Sequence, residues 1–274
     1  MEEIHKILTT YAYNIIGSMD DAKDVVQDVV EKYIELDKAH ITNERNYLIK
    51  STINHAINLK KKKSYQAQFG KWLPEPVAFN ATDTEIIKEQ TASYTLLVLM
   101  ERLNALERAV FILREGFAYR HHEIAEVLDI QADHSRQLFL RAKKALQKTS
   151  FKNKISDTAL LESYITAITQ ADIQKLESLL IKDVGLMADG GDSVKVVSGC
   201  TMGAVQTALV LQNVYGTYLW DKQFFITAMN HQPAIVFYTD QVVHNCQILA
   251  VANDRIRAFY SIVDPQKLKT IKIP

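Results

Sequence analysis

Apolar residues recur every three to four positions from the N-terminus to about residue 63, the spacing of helices that each bury one face. Proline is absent from this stretch, and its one glycine, Gly17, separates a first helix from a second. The second helix opens at Ser18, whose hydroxyl suits an N-cap, and Asp20 and Asp21 complement the positive end of the helix dipole. Ala22, Val25, Val26, Val29, Tyr33 and Leu36 form its apolar stripe. Periodicity is lost over residues 64–84, where Gly70, Pro74 and Pro76 predict a linker. It returns over residues 85–150, with Asn104 and Glu107 spaced as a capping box. Within that segment Glu123 to Leu128, a turn at Asp129 to Gln131 and a helix from Ala132 to about Gln147 form a helix-turn-helix candidate.

From about residue 155 to 274 the period shifts. Two helical segments, 156–169 and 172–180, precede runs of alternating β-branched and aromatic residues at 224–228, 234–238, 242–252 and 255–263. Thr239-Asp240-Gln241 and Asn253-Asp254 suit hairpin turns, so the expected architecture is two all-helical domains followed by an α+β domain built on an antiparallel meander.

Charge sharpens this division. Lys plus Arg and Asp plus Glu both total 32, yet residues 1–37 hold nine acids against three lysines, and residues 41–71 hold seven basic residues against Glu44 alone. A second basic block, 134–154, has seven Lys or Arg and no carboxylate. Local concentration of this kind is what a nucleic-acid binder of balanced total charge requires. No run of about 18 apolar residues and no basic flank with an apolar core at the N-terminus is present, so the expected location is the cytoplasm. Cys200 and Cys246 are too far apart for a metal spacing, and His121-His122-Glu123 lacks the i, i+4 histidine pair. No phosphate-binding loop, dinucleotide fingerprint or nucleophile elbow occurs, and neither a metal, a cofactor nor an enzyme activity is expected.

Three constellations stand out. Asp21, Asp24, Asp28, Glu31 and Glu35 line one edge of the second helix, either a solvated face or a docking edge for a basic protein. Tyr47, Lys50, Asn54 and Asn58 lead into Lys60, Lys61, Lys62 and Lys63, and Tyr47, His55, Tyr65, Phe69 and Trp72 interleave aromatic rings with that charge, a pattern suited to single-stranded nucleic acid or to a solvated helix end. In the candidate recognition helix, His134, Arg136 and Gln137 fall where base edges are read, with Asp133 beside them, and Arg141, Lys143 and Lys144 fall where phosphates are met.

Together these residues resemble the extracytoplasmic-function sigma factors, the smallest members of the sigma-70 family. Residues 17–28 are similar to the family's polymerase-docking segment, Tyr47 to Lys63 to its minus-ten segment, and Leu103 to Leu146 to its minus-thirty-five domain. The resemblance implies that Asp21, Asp24, Gln27, Asp28 and Glu31 meet the β′ clamp helices of core RNA polymerase. Trp72-Leu73-Pro74-Glu75-Pro76, Ser135-Arg136-Gln137 and Arg141-Ala142 further resemble the subgroup with a SnoaL-like C-terminal domain, the SigJ-type factors. Its Asp-Gly-Gly-plus-Lys and Asn-Pro-Asp-Lys-Leu-like motifs have counterparts in Asp189, Gly190, Gly191 and Lys195 and in Asp264, Pro265, Gln266, Lys267 and Leu268. The resemblance implies an interdomain regulatory role for Asp189, Gly190, Gly191, Lys195, Asp264, Pro265 and Leu268 with Trp72, Pro74 and Pro76, and leaves room for a small ligand in the C-terminal domain. Read from residues alone, both motifs are also ordinary turn signals. Two other functions stay open: a one-component helix-turn-helix regulator with a sensing domain, and a SnoaL-like isomerase or cyclase whose cavity Asp189, Tyr218, Tyr238 and His244 would line.

Overall fold

A computed structural model describes residues 2–37, 41, 43–64, 72–79, 83–146, 158–196 and 203–274. Tyr65, Phe69, Gly70, Lys148 and Cys200 lie outside the described residues. The chain divides into two compact units: residues 1–69 with 80–152, and residues 70–79 with 153–274.

The first unit is helical: α1 (Glu2–Ile16), α2 (Met19–Glu35), α3 (Glu44–Ser64), α4 (Glu85–Gln90), α5 (Tyr94–Met100), α6 (Ala105–Glu115), α7 (His121–Leu128) and α8 (Ala132–Leu146). Gly17 takes φ +87, a left-handed conformation that costs glycine little, and it ends α1. Ser18 then caps α2 by accepting from the Asp21 amide at 3.3 Å. The stripe read from the sequence is the buried face: Ala22, Val25, Val26, Val29 and Tyr33 are all in the core, whereas Leu36 is exposed. The capping box at Asn104 and Glu107 is present. Asp129 terminates α7 in the left-handed region (φ 52), so the turn of the helix-turn-helix is made without glycine.

These eight helices close around one another. Asn14 of α1 is fully buried; its amide donates to the Gln90 carbonyl (2.7 Å) and its carbonyl oxygen accepts from the Ala92 amide (3.0 Å). The Tyr11 and Phe117 rings stack 3.7 Å apart, and the Tyr11 and Tyr119 hydroxyls bond at 3.1 Å. Burial pushes the Tyr11 phenol far up, with Tyr119 adding to the shift, so it stays a neutral hydrogen-bonding group.

The second unit contains α9 (Thr158–Thr169), α10 (Ile173–Ser178), β1 (Leu180–Asp189), α11 (Ala204–Val214) followed by a π-helical turn (Tyr215–Leu219), β2 (Gln223–Met229), β3 (Gln232–Thr239), β4 (Val242–Ala252), β5 (Arg255–Ile262) and α12 (Pro265–Leu268). The sheet order is β1-β5-β4-β3-β2. Strands β2 to β5 form the expected antiparallel meander, but β1 pairs with β5 in parallel, making the sheet mixed. β1 was hidden because its burial does not alternate: its register shifts between Leu180 and Gly185, and it follows α10 with almost no turn signal. The sheet curls against α9, α10 and α11 over a core that includes Leu161, Tyr164, Leu211, Phe237, Leu249 and Phe259. This is the SnoaL-like cone. Among the described residues no helix is long and apolar enough to cross a membrane, and no cluster of His, Cys, Asp and Glu could hold a metal.

Candidate nucleic-acid and polymerase interfaces

The edge of α2 is presented to solvent. Asp24, Gln27, Asp28 and Glu31 are exposed, and Gln27 donates to Glu31 at 2.8 Å. Asp21 is only partly exposed, since it pairs with Lys63 at 2.5 Å, and Asp28 lies 3.7 Å from His55. The end of the lysine cluster therefore neutralises the start of the acidic ridge and leaves its distal part free to meet a basic partner.

Helix α3 distributes its predicted residues over three environments. Tyr47, Ser51, His55 and Asn58 line, with Val29 and Lys32 of α2, a groove of about 380 Å³. Its ring, imidazole, amide and cation suit an unpaired base and its phosphate. Lys61, Lys62 and Lys63 are exposed at the helix end. Lys50 and Asn54 are engaged instead: Lys50 Nζ donates to the Glu126 carbonyl (2.9 Å) and Asn54 Nδ2 to the Val127 carbonyl (3.1 Å), capping the last turn of α7.

Lys60 corrects the sequence reading. It is buried, donating to the Ile16 carbonyl (3.1 Å) and to Glu101 (2.7 Å), rather than facing nucleic acid. Glu101 also receives the guanidinium of Arg108, which is wholly buried and donates through Nε to the Asn14 carbonyl at 2.9 Å. The periodicity of a four-lysine run cannot reveal which member turns inward; its partner, Glu101, is 41 positions away. Two cations thus share one carboxylate. Burial, with Arg108 beside it, lowers Lys60 to about 8 despite the pull of Glu101. Burial raises the Glu101 carboxyl, but Arg108 and Lys60 outweigh it and hold the group below its ordinary range.

A pH dependence follows from Lys60. Between its folded value of about 8 and its ordinary value of 10.5 the unfolded chain binds more protons at this site, so the site favours folding increasingly as pH rises through that window. The Lys60→Met variant lacks this term. The difference in thermal midpoint between wild type and variant is expected to shift in favour of wild type from pH 7.5 to pH 9.5; a constant difference contradicts the assignment.

The helix-turn-helix is held by buried contacts. His121 Nδ1 lies 2.9 Å from the hydroxyl of buried Ser135, and Arg114 donates to the Tyr119 carbonyl at 2.9 Å. Ser135, Leu138, Ala142 and Leu146 turn inward. His134, Arg136, Gln137, Arg141, Lys143 and Lys144 are all exposed. Arg136 pairs with Asp133, and Lys143 lies 3.6 Å from Glu115 and over the Phe139 ring at 5.1 Å, which places Lys143 on the flank.

In the second unit the segment 72–79, expected to be linker, is strapped onto the cone. Lys267 Nζ donates to the Leu73 carbonyl and to Asp189, each at 2.5 Å, and stands 4.4 Å over the Trp72 ring. The Leu73 amide donates back to Asp189 at 2.7 Å. Pro74 and Pro76 are buried, and Glu75 accepts from Thr270 at 3.2 Å. The Val77 amide donates to Asn230 Oδ1 at 2.8 Å, and its carbonyl accepts from the Asn230 amide at 2.9 Å.

The glycines beside Asp189 have steric reasons. A Cβ on Gly190 would fall 1.9 Å from the Val194 carbonyl oxygen; one on Gly191 (φ +57) would meet the Asp264 carboxylate at 2.6 Å. Asp264 caps α12 through the Gln266 amide, Pro265 occupies its first turn, and Leu268 is buried. Lys195, the lysine near the Asp-Gly-Gly run, is exposed, and the cation that meets Asp189 is Lys267. Leu73, Asn230, Lys267 and Thr270 were not singled out as site residues, although Lys267 lay in plain view within the Asp264-to-Leu268 motif.

Tyr218 is 67% exposed, His244 is exposed, Tyr238 packs on Phe225, and Asp189 belongs to the strap. The four residues proposed to line a catalytic cavity do not converge.

Residues 94–146 match the family model for sigma-70 region 4. The chain is 29% identical over 234 residues to an extracytoplasmic-function RNA polymerase sigma factor, SigJ of Mycobacterium tuberculosis, covering 80% of this chain and 74% of the relative. It is 22% identical to a probable sigma factor of the same type, SigI of that organism, over 97% of this chain and 92% of the relative. The crystal structure of M. tuberculosis SigJ superposes with a TM-score of 0.76 at 25% identity, covering 98% of this chain and 96% of that one. With the helix-turn-helix and the fused cone both in place, the chain is similar over nearly its whole length to extracytoplasmic-function sigma factors of the sigma-70 family, SigJ among them.

Proposed function

We propose that this chain brings core RNA polymerase to promoters: α2 docks the polymerase, α8 reads the upstream element, and the groove between α2 and α3 receives the opened minus-ten strand. The observation that carries this is the separation of charge on exposed surfaces, with the carboxylates of Asp24, Asp28 and Glu31 on α2 and the cations of Arg136, Arg141 and Lys144 on the outward side of α8.

In the conformation described, Lys50 and Asn54 bond to α7, and a side chain that caps a helix cannot also meet a phosphate or base. Loading onto a promoter therefore requires α3 and α7 to part. The seam is polar, running through Asn14, Lys60, Glu101 and Arg108, as in interfaces between modules that separate. In sequence, the strap 72–79 joins α3 to α4. By holding this connection, the cone limits how far the two promoter-reading parts can separate, and it modulates activity in that way.

Run-off transcription with purified core polymerase tests the reading. Reversing charge at Asp24→Lys and Glu31→Lys, both exposed, is expected to weaken core binding by about ten-fold or more and steepen no other defect, because docking charges act on association rather than on folding. Undiminished core affinity in the folded double variant would remove α2 from the interface.

A further inference from the structure

Helix α8 displays one large apolar side chain to solvent. Leu140 is 66% exposed, while its neighbours in the apolar set, Leu138 and Leu146, are buried. At about 100° per residue, Leu140 falls opposite the inward row of Ser135, Leu138, Ala142 and Leu146 and in line with Asp133, Gln137 and Lys144. It therefore sits in the middle of the surface that the basic residues surround, with Arg136 and Arg141 on either side. Packing does not explain a leucine there, since it contributes little to the core and interrupts an otherwise polar face.

We propose that Leu140 is a specificity-determining residue that reads the C5-methyl group of a thymine in the upstream promoter element. The inference rests on the assignment of α8 as the DNA-reading helix. In the major groove the thymine methyl is the apolar mark among hydrogen-bonding edges, and apolar side chains distinguish thymine by contact with it. Arg141, Lys143 and Lys144 are exposed cations placed to hold phosphates around such a contact, and Gln137, one turn toward the N-terminus, offers an amide to the neighbouring base edge. The surrounding charge selects DNA over an apolar protein surface as the occupant. A leucine facing a cytosine or guanine edge would strip water from polar atoms and return no hydrogen bond, so discrimination comes from both sides.

The test uses holoenzyme reconstituted from core polymerase and the full-length chain, with promoters randomised in the upstream element, and compares wild type with Leu140→Ala and Leu140→Gln. Wild type is expected to select thymine at one position, and both variants to lose that preference there while keeping the rest of the element. In a selected promoter, deoxyuridine in place of that thymine is expected to weaken wild type by about four-fold, the binding equivalent of one methyl-sized group removed from water, and to leave Leu140→Ala unchanged. The proposal is overturned if deoxyuridine weakens wild type and Leu140→Ala alike, or if the variants alter core binding with promoter preference intact, which would make Leu140 a protein contact. Should holoenzyme that binds core normally select no upstream element at all, α8 is not the reader; that failure is separate from one in which an element is selected without dependence on residue 140.

Discussion

Replacing Glu101 with alanine is expected to destabilise the helical unit by about 3–5 kcal/mol, the range for removing one partner of a buried ion pair. Arg108 has no solvent exposure and Lys60 very little, so neither cation can recover its hydration in place once the shared carboxylate is gone. For a unit of this size the loss corresponds to a fall of about 10–17 °C in thermal midpoint. Arg108 keeps its bond to the Asn14 carbonyl and Lys60 its bond to Ile16, which softens the effect without removing it. The combined variant Lys60→Met, Glu101→Leu, Arg108→Met is expected to regain most of the stability, because apolar residues of similar volume need no paired charge. If Glu101→Ala melts with wild type, the three charges are not a coupled network.

The same network bears on function. Glu101 and Arg108 belong to the helices around α8, Lys60 and Asn14 to those around the α2–α3 groove, so weakening their contact is expected to lower the work needed to free Lys50 and Asn54 from α7. Under the proposed function, the capping contacts would then tie the stability of the closed helical unit to its readiness for DNA. A sequence made for permanent closure would have placed leucine where Asn14, Lys60 and Arg108 stand.

What was legible in the sequence was local. The Gly17 break, the Ser18 cap, the capping box at Asn104 and the α2 stripe as far as Tyr33 each depend on residues within a turn or two, and these appear where their spacing puts them. The exposed arc of α8 was legible for the same reason. Features that depend on distant partners were not: the parallel pairing of β1 with β5, the inward turn of Lys60 toward Glu101, and the bond from Lys267 to Leu73 across 194 positions. The strap shows the limit most clearly. Pro74 and Pro76 deny this segment helical and ladder hydrogen bonds, which correctly predicts an irregular segment, but irregular backbone can still be buried when side chains such as Asp189, Lys267 and Asn230 supply its partners.

The second large effect is expected at Lys267. Its ammonium group joins Asp189, the Leu73 carbonyl and the Trp72 ring, and Asp189 is 4% exposed, so Lys267→Met leaves a carboxylate buried without its cation and a backbone oxygen without its donor. Detachment of the strap relieves both losses by letting water reach Asp189. Amide exchange at Leu73, whose N–H points at Asp189, is expected to accelerate by about 100-fold, equivalent to about 3 kcal/mol of lost local protection. Val77, held separately by Asn230, is expected to respond less. Asp189→Asn combined with Lys267→Met removes both charges and is expected to cost less than the sum of the single changes, since the two side chains act as a pair. Transcription by reconstituted holoenzyme should change in step with Leu73 exchange across these variants. A variant in which the strap is released while transcription is unaltered would mean that the cone does not act through residues 72–79.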